Sequence, residues 1–544
     1  MSSPTPVPTS TAEPAPKMTH REVLEALSGI LLGMFVSILA TSVVSSSLPR
    51  IISDLDGTQS AFTWVVTATL LTTTISTPIW GKLADLVDRK LLIQLALTIS
   101  VLSSALAGFS HDTGMLIGMR ALQGIGAGGL TALGTVLIAD IISPRERGRY
   151  MGLMGAVMGI GMVGGPLLGG VITDGPGWRW NFFIGLPFAV AAIIVLQRTL
   201  RLPVRKTRTV KIDYAGATLL SIGISLLLLW ITFAGTSFDW ASWQTAAMVG
   251  GSLLALALAV WVESRASEPI IPLHLFRNRT LVLAVVASIA VGVAMFGTTV
   301  FLSQYMQLAR GKTPTESGLL TIPMIVGLLV SSTVSGQIIS RTGRYKKFMI
   351  AGAVLLTVGT GLMGTIHFDT SFTLVSLYLV IIGAGVGMLM QNLVLAVQNT
   401  LDVREVGSGT STVAFFRTLG GALGVSALGV VLTHRVTDLM ARGLVAIGID
   451  PAAMGASGSI PDLSTLPENV RMVVEQSFGN AVADLFLVAT PVALISLVAV
   501  LFLQEVPLGN RSGIEQLLDQ EASDGSEAAE LEQLTAEQRV SARD

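Results

Sequence analysis

The chain lacks residue types on which many soluble enzymes and secreted proteins depend. It has no cysteine in 544 residues, which excludes disulfide bridges, thiolate metal sites and cysteine nucleophiles. Only 13% of its residues are charged, about half of the ~25% typical of soluble chains. Because 51% of the residues are hydrophobic, the composition indicates an integral membrane protein.

Charge is also missing from long stretches of the chain. Lipid offers the backbone no hydrogen bonds, so a segment that crosses the hydrocarbon must be a helix of about 20 apolar residues. Runs nearly free of charge predict fourteen transmembrane helices, at 27–49, 61–80, 91–110, 113–139, 150–173, 180–197, 214–235, 244–262, 281–305, 317–339, 348–366, 371–398, 408–433 and 483–503. Two of these runs contain one internal arginine each, Arg120 and Arg417.

Basic residues predict the orientation, because short cytoplasmic loops are rich in lysine and arginine. Alternate loops, from the one after the second span onward, hold about 20 basic residues, and the opposite short loops hold about 4. We therefore predict a multi-pass protein of the cell (inner or plasma) membrane with both termini in the cytoplasm. Residues 1–26 are predicted to be a disordered tail and 504–544 an acidic tail.

Two basic loops reveal an internal repeat. "GKLADLVDRK" at 81–90 and "GQIISRTGRYKK" at 336–347 each follow a predicted hairpin. Their first glycines lie about 55 residues after the start of the first and ninth spans, respectively. Internal repeats around a central site are common in secondary transporters.

The repeat predicts an all-α integral membrane fold made of two six-helix halves. The halves are 27–200 and 281–503, and the linker 201–280 between them carries two extra transmembrane helices. The second half includes a long outer loop at 435–482, with an amphipathic stretch around "ENVRMVVEQSF".

Four motifs follow one another along the first half: "GKLADLVDRK", "RALQGIGAGG" at 120–129, "GMVGGPLLGG" at 161–170 and "WRWNFFIGLP" at 178–187. The first resembles the cytoplasmic loop signature of the major facilitator superfamily, and the second resembles its fourth-helix motif. The third resembles the fifth-helix motif of its antiporters. The fourth, with the fourteen spans, resembles the fourteen-helix drug–proton antiporter family. The resemblance implies the major facilitator fold and multidrug efflux in exchange for protons.

The first basic loop is a candidate cytoplasmic gate. Gly81 permits a tight turn, and Asp85 is placed where a helix N-terminus of the other half would stabilise its charge. Arg89 is placed to pair with Asp140, which ends the fourth span. The resemblance favours gating for these charges; the alternative is that they set the topology and are solvated.

The second basic loop has lost the aspartate, with Ser340 at the corresponding position. We expect the full charge cluster to operate mainly in the first half. The gate candidates of the second loop are Arg341, Gly343 and Arg344.

Polar residues inside the spans are candidates for the cavity. A central arginine costs about 2.5–3.5 kcal/mol on insertion scales, so Arg120, followed by Gln123, is expected to face a cavity or a partner. The resemblance implies a part in proton transfer for Arg120; the alternative is a structural donor to backbone carbonyls. The further candidates are Ser45, Gln391, Asn392 and Arg417, of which Arg417 alternatively snorkels to the cytoplasmic side.

The fifth span is rich in glycine around a proline. Small residues let helices pack closely, and proline bends a helix. The resemblance implies an antiporter hinge between the halves, and generic close packing is the alternative. The hinge candidates are Gly161, Gly165, Pro166, Gly169 and Gly170.

The first span departs from the resemblance. Fourteen-helix drug antiporters commonly carry an aspartate nine residues before the proline that ends this helix. Here the proline is Pro49 and the position holds Ala40. A cavity with Arg120 and no central acid is expected to tolerate neutral, zwitterionic or anionic amphiphiles at least as well as cations.

The predicted function is a secondary efflux transporter that works by alternating access, with a small amphipathic substrate. The alternative is an uptake symporter or facilitator for a small organic solute. An intramembrane enzyme is disfavoured, because "GASG" at 455–458 lies in a polar loop without a nearby partner histidine in a span. No Walker motif is present for ATP-driven export. We predict a monomer in the lipid bilayer, with the proton gradient as energy source, no cofactor or metal, and no nucleic acid partner.

Overall fold

The computed structural model describes residues 20–55, 59–199, 213–235, 238–266, 269–312, 314–450, 467–509 and 515–516. Regular structure in these ranges is helical. The first half contains α1 (His20–Asp54), α2 (Gln59–Leu86), α3 (Arg89–Gly108), α4 (Thr113–Ile141), α5 (Pro144–Asp174), α6 (Trp180–Phe183) and α7 (Gly185–Thr199).

The extra hairpin consists of α8 (Tyr214–Phe233) and α9 (Trp243–Glu263). The second half contains α10 (Arg279–Gln304), α11 (Pro314–Leu319), α12 (Ile322–Thr342), α13 (Lys346–Met363), α14 (Phe372–Gln398), α15 (Val406–Ala446) and α16 (Glu468–Phe502).

Apolar length explains most of these helices. Within the described ranges, twelve helices are long and apolar enough to cross a membrane. The helices α2 and α5, with 28 and 31 residues, are not among the twelve. The all-helical membrane fold is therefore confirmed, and the count of fourteen spans stays a prediction.

Packing within the two halves follows one pattern. In the first half α1 packs on α5, and α2 and α3 pack on α4; in the second half α10 packs on α15, and α12 and α13 pack on α14. Glycine permits the closest approaches: a Cβ at Gly124 of α4 or Gly383 of α14 would overlap a backbone carbonyl of the facing helix. The halves meet through α2 against α15 and α5 against α12, and α8 lies on the α2–α15 seam.

Two predicted boundaries are wrong, because helices continue past the apolar stretches into segments that contain charged residues. Helix α1 begins at His20, inside the predicted tail 1–26, whose residues 1–19 lie outside the described ranges. Both described ends of the predicted outer loop 435–482 contain helix, since α15 runs to Ala446 and α16 starts at Glu468. The ion pair of Arg435 with Asp484 (2.8 Å) and a cluster around Leu444 hold these extensions together beyond the apolar stretch.

The bundle has two distinct ends. We call the end where α2 ends and α5 begins the basic end, because the two basic loops lie there. The opposite end is formed by the beginning of α2 and α4 and by the long extensions of α15 and α16.

Candidate functional site

Asp85 joins the two halves at the basic end. Its carboxylate accepts hydrogen bonds from the backbone N–H groups of Gly407 (3.0 Å) and Ser408 (2.9 Å), and from the Ser408 hydroxyl (2.7 Å). These N–H groups belong to the first turn of α15, where helical partners are missing and the helix dipole favours an anion. Gly407 is required beside Asp85, because a Cβ there would overlap the carboxylate. Asp85 therefore caps a helix of the opposite half.

Arg89 completes a charge cluster around this cap. Its guanidinium forms an ion pair with Asp140 at the end of α4, lies 3.8 Å from the Asp85 carboxylate and donates from Nε to the Ala84 carbonyl (2.9 Å). The side chains of Asp85, Arg89 and Asp140 are each at most 5% exposed. Burial weakens the competition from water, so each pairing is stronger than on a surface. The structure thus brings together the three charges that the first loop and Asp140 supply.

Gly81 controls how closely α2 approaches α15. A Cβ at this position would overlap the Ser411 side chain and lie 2.9 Å from the Gly407 carbonyl. Its role is close approach of the halves, which differs from the tight turn that the sequence suggested, because α2 continues as a helix to Leu86.

Arg147 and Gln398 form a second connection between the halves, which the sequence analysis did not single out as a site. The Arg147 guanidinium donates to the Gln398 side-chain oxygen (3.2 Å) and to the carbonyls of Ala139 (2.7 Å) and Ile142 (2.9 Å). The Gln398 amide nitrogen donates back to the Thr135 carbonyl of the first half (3.3 Å). Both side chains are buried. Two sequence signals were available for this pair. Gln398 is an uncharged polar side chain at the end of an apolar helix, and Arg147 lies in a segment where basic and acidic residues alternate.

The second basic loop has a different chemistry from the first. Ser340 donates to the Gly336 carbonyl of its own helix (2.9 Å), and Gly343 ends α12 in the left-handed conformation, φ 70°. The Arg341 carbonyl accepts from Arg145 of the other half (3.3 Å). Arg344 is exposed. Arg341 therefore touches the opposite half through its backbone.

A C-terminal segment, 503–509, crosses the basic end, and we call it the strap. Its Gly509 carbonyl accepts the backbone N–H of Arg145 in the first turn of α5 (3.2 Å). On the other half, the Asn399 side chain donates to the carbonyls of Val506 (3.3 Å) and Pro507 (3.2 Å) and accepts from the Gly509 N–H (3.1 Å). The backbone N–H of Val506 donates to the Tyr345 hydroxyl (3.0 Å). The strap is therefore bonded to both halves.

Arg120 lies deep in the first half without an acidic partner among the described residues. The guanidinium donates to the Gln123 side chain (2.7 Å), and its Nε has no acceptor. The residue is 2% exposed. The backbone carbonyl of Arg120 accepts the Thr69 hydroxyl (3.2 Å), one of several hydroxyl groups with which α2 binds α4.

The second half contributes the other predicted cavity residues. Arg417 is 7% exposed, so the alternative reading, in which its side chain snorkels to the surface, is wrong. Asn392 donates to the Met388 carbonyl of its own helix (2.7 Å), and it makes no bond across helices to any described residue. Gln391 is buried in α14, and the Ser45 side chain lies outside the described part of the chain.

The predicted hinge glycines of α5 face their own half. Gly161 packs on Ile38 and Gly165 on Ser42, both in α1, and the Gly169 carbonyl accepts the Ser47 hydroxyl (3.2 Å). The contacts of α5 with α12 come from another face, around Gly155 and Gly159. Gly170 is half-buried in α5, and the Pro166 side chain is outside the described residues. The hinge role remains a prediction.

Comparison with known proteins identifies the family. The model of the Major Facilitator Superfamily matches residues 30–425. The chain is 35% identical to the multidrug transporter protein MdtP of Bacillus subtilis, over 79% of this chain and 78% of that protein. It is 29% identical to multidrug resistance protein 3 of the same organism, over 87% and 94% of the two lengths.

Two further comparisons agree on the architecture. An uncharacterised MFS-type transporter of Mycobacterium tuberculosis is 35% identical over 93% of this chain and 73% of its own length. The solved proton:xylose symporter XylE has a TM-score of 0.57 at 13% identity, over 92% of this chain and 100% of that one, which shows the fold alone. The chain therefore belongs to the Major Facilitator Superfamily and is a multi-pass membrane transporter rather than an enzyme.

Proposed function

We propose that this transporter exports amphipathic compounds, drugs or antibiotics among them, across the cell membrane by alternating access in exchange for protons. The observation that carries the mechanism is the Asp85 carboxylate on the first turn of α15, a non-covalent bond between the halves. The direction of transport is supported by relatives that bear the names multidrug transporter and efflux pump. In this proposal the basic end is the cytoplasmic side, the protein acts as a monomer, and it uses no cofactor.

The proposed cycle opens and closes the basic end. With the Asp85 cap and the Arg147–Gln398 bond formed, the basic end is closed. When the halves rock apart, water replaces the lost partners of these groups, so the two states differ by a modest free energy and a substrate can shift their populations.

Proton coupling is assigned to the surroundings of Arg120. Ala40 in α1 leaves the first helix without an acid at the position the family commonly uses. Among the described residues of the first half, the buried Arg120 guanidinium, with one side-chain partner, is the charged group that lies between the two ends. A neighbouring proton carrier such as water responds strongly to this charge in a low-dielectric interior.

Proton release from everted membrane vesicles tests the proposal. A pH-sensitive dye reports the lumen of acidified vesicles while neutral, anionic and cationic amphiphiles are added. We expect alkalinisation of the lumen on addition of substrate, its loss in Arg120→Ala, and its retention in Arg442→Ala, an exposed arginine paired with Asp438. Transport of an amphiphile without any proton movement would refute antiport and favour a facilitator or another coupling ion.

A further inference from the structure

The buried charges of the two halves are unbalanced. The described residues bury five cationic side chains in the halves: Lys82, Arg89, Arg120, Arg147 and Arg417. The buried carboxylates of the same halves, Asp85 and Asp140, both lie at the basic end beside Arg89. Away from that end, the described interior therefore carries positive charge alone.

Arg417 is the least compensated of these cations. Its side chain has no hydrogen bond and no ion pair with any described residue, although the residue is 93% buried. A guanidinium has five N–H donors, and burying it without partners is costly. Arg417 lies ten residues beyond Gly407 in α15, about 15 Å inward from the basic end at 1.5 Å per residue.

Gln391 lies at the same level as Arg417. Nearer the basic end, Gln398 of α14 donates to the Thr410 hydroxyl of α15 (3.0 Å). Seven residues further inward on each helix are Gln391 and Arg417, and seven residues are almost two full turns, so they lie on the same faces as the bonded pair. Gln398 faces the opposite half, since it bonds Thr135 and Arg147. Gln391 therefore lies on the face of α14 that is directed at the opposite half, and Arg417 lies on the face of α15 that is directed at α14.

We propose that Arg417 and Gln391 bind the negatively charged group of the substrate, which makes the substrate an organic anion with an apolar body. This inference rests on the proposed export function and specifies its substrate class. A guanidinium pairs with a carboxylate, sulfonate or phosphate in a two-pronged geometry, and the Gln391 amide, which has no partner among the described residues, supplies a further donor. Arg120 lies twenty residues from Asp140 along α4, about 30 Å from the basic end. It adds a second buried positive charge to the interior of the bundle.

An anionic substrate also fits the absence of an acid at Ala40. An inside-negative membrane potential drives an anion outward, by about 50-fold in concentration per charge for each 100 mV. Export of an anion is therefore favoured before any proton moves. A cation would need both a carboxylate partner and exchange against protons.

Three xanthene dyes of similar size test the charge preference in everted vesicles: anionic fluorescein, zwitterionic rhodamine B and cationic rhodamine 123. We expect uptake of fluorescein to exceed that of rhodamine 123, and Arg417→Gln to lower fluorescein uptake at least tenfold. Arg417→Lys retains part of it, Gln391→Ala lowers it less, and Arg442→Gln serves as the matched control.

The outcomes separate this inference from the export function. Faster uptake of rhodamine 123 than of fluorescein by the wild type would overturn the anion assignment and leave export intact. This comparison uses the wild type alone, so it does not depend on the folding of a variant. Unchanged fluorescein uptake by correctly folded Arg417→Gln would also overturn it. If the wild-type protein transported none of the three dyes and none of the amphiphiles of the proton assay, export itself would be refuted.

A second inference concerns the strap and is independent of the substrate. In the first repeat, Asp85 at the end of α2 caps α15; in the second repeat, Ser340 stands at that position and bonds its own helix. The corresponding helix start, in α5, is met by the Gly509 carbonyl through the N–H of Arg145. The strap lies where the missing aspartate would otherwise connect the halves.

We infer that the strap is a latch that stabilises the closed basic end and must release one half when that end opens. Its bonds to Asn399 and Tyr345 anchor it on the second half, and Leu503 and Leu508 are buried. Among the described residues, the strap makes one hydrogen bond to the first half, from the Arg145 N–H to the Gly509 carbonyl, so the first half is the side that separates.

Pulsed electron paramagnetic resonance can measure the opening in nanodiscs. Because the chain has no cysteine, spin labels at Leu95→Cys in α3 and Ala351→Cys in α13 report the distance between the halves without background labelling. We expect a chain that ends at Leu503, and the variant Asn399→Ala, to raise the long-distance population at least fivefold. A chain that ends at Gln516 keeps the strap, with the Gly509 carbonyl as a peptide carbonyl, and is the control. We expect Tyr345→Phe, which removes the acceptor of the Val506 N–H, to act in the same direction as Asn399→Ala, and Tyr378→Phe is its control. Identical distance distributions for the chains ending at Leu503 and Gln516 would overturn the latch.

Discussion

Replacing Asp85 by asparagine is the sharpest test of the gate. The substitution keeps the shape of the side chain and removes its charge. The single side-chain oxygen of asparagine can replace the Asp85 oxygen that accepts from Ser408. The second oxygen, which accepts from the Gly407 N–H at 3.0 Å in the wild type, becomes an NH₂ group that cannot accept. The variant thus loses one bond between the halves and weakens the rest.

The size of the effect follows from these bonds. A hydrogen bond to a charged group contributes about 1.5–3 kcal/mol, and the helix N-terminus adds about 0.3–1 kcal/mol for an anion. Losing one such bond and the dipole interaction gives about 3 kcal/mol in favour of the open basic end. That corresponds to roughly a 100-fold change in the ratio of closed to open molecules.

The spin-label pair at Leu95 and Ala351 measures this ratio directly. We expect Asp85→Asn to convert a closed distance distribution into one with a large open fraction. Asp88→Asn is the matched control, because Asp88 lies in the same loop but caps only its own helix, through Lys90 and Leu91. Asparagine caps helices as well as aspartate does. An unchanged distribution for Asp85→Asn, or an equal change for Asp88→Asn, would refute the reasoning.

Three further predictions concern close approach and the second repeat. Gly81→Ala should open the basic end and slow transport, because its Cβ would overlap Ser411, and Ser411→Gly should restore part of the rate in the same vesicle assay. Gly383→Ala should lower the thermal unfolding temperature in detergent by several degrees, since its Cβ would overlap a backbone carbonyl of α12; Gly118→Ala, with no atom within 4 Å of its Cβ, should leave it unchanged. Ser340→Asp should raise the closed fraction in the spin-label experiment, because an anion at that place would face the first turn of α5; no increase would contradict the proposed equivalence of the two repeats.

The helical membrane fold was predictable because it depends on local properties. Apolar runs of about 20 residues can only be helices in lipid, and the repeat of the basic loops follows from spacing alone. Helix ends were less predictable. The extensions of α15 and α16 past the apolar stretch depend on contacts such as Arg435 with Asp484, which lie 49 residues apart in sequence.

The candidate site, like the fold, was only partly predictable from the sequence. The sequence singled out Asp85, Arg89 and Asp140 through charge, motif and position. It did not reveal Arg147 with Gln398, which are 251 residues apart, or the strap. Both involve ordinary residues whose importance arises only when the halves are packed together.

The sequence by itself determined a helical membrane protein with an internal repeat, because hydrophobic length, loop charge and spacing act locally along the chain, and the resemblance of its motifs implied a transporter. Only the tertiary structure decided how the other buried cations are paired. Burial is a property of the packed bundle: it joined Arg147 to Gln398 of the opposite half and left Arg417 without a partner among the described residues. An arginine in a sequence carries the same charge everywhere, and its surroundings decide whether that charge holds the halves together or remains free for a ligand.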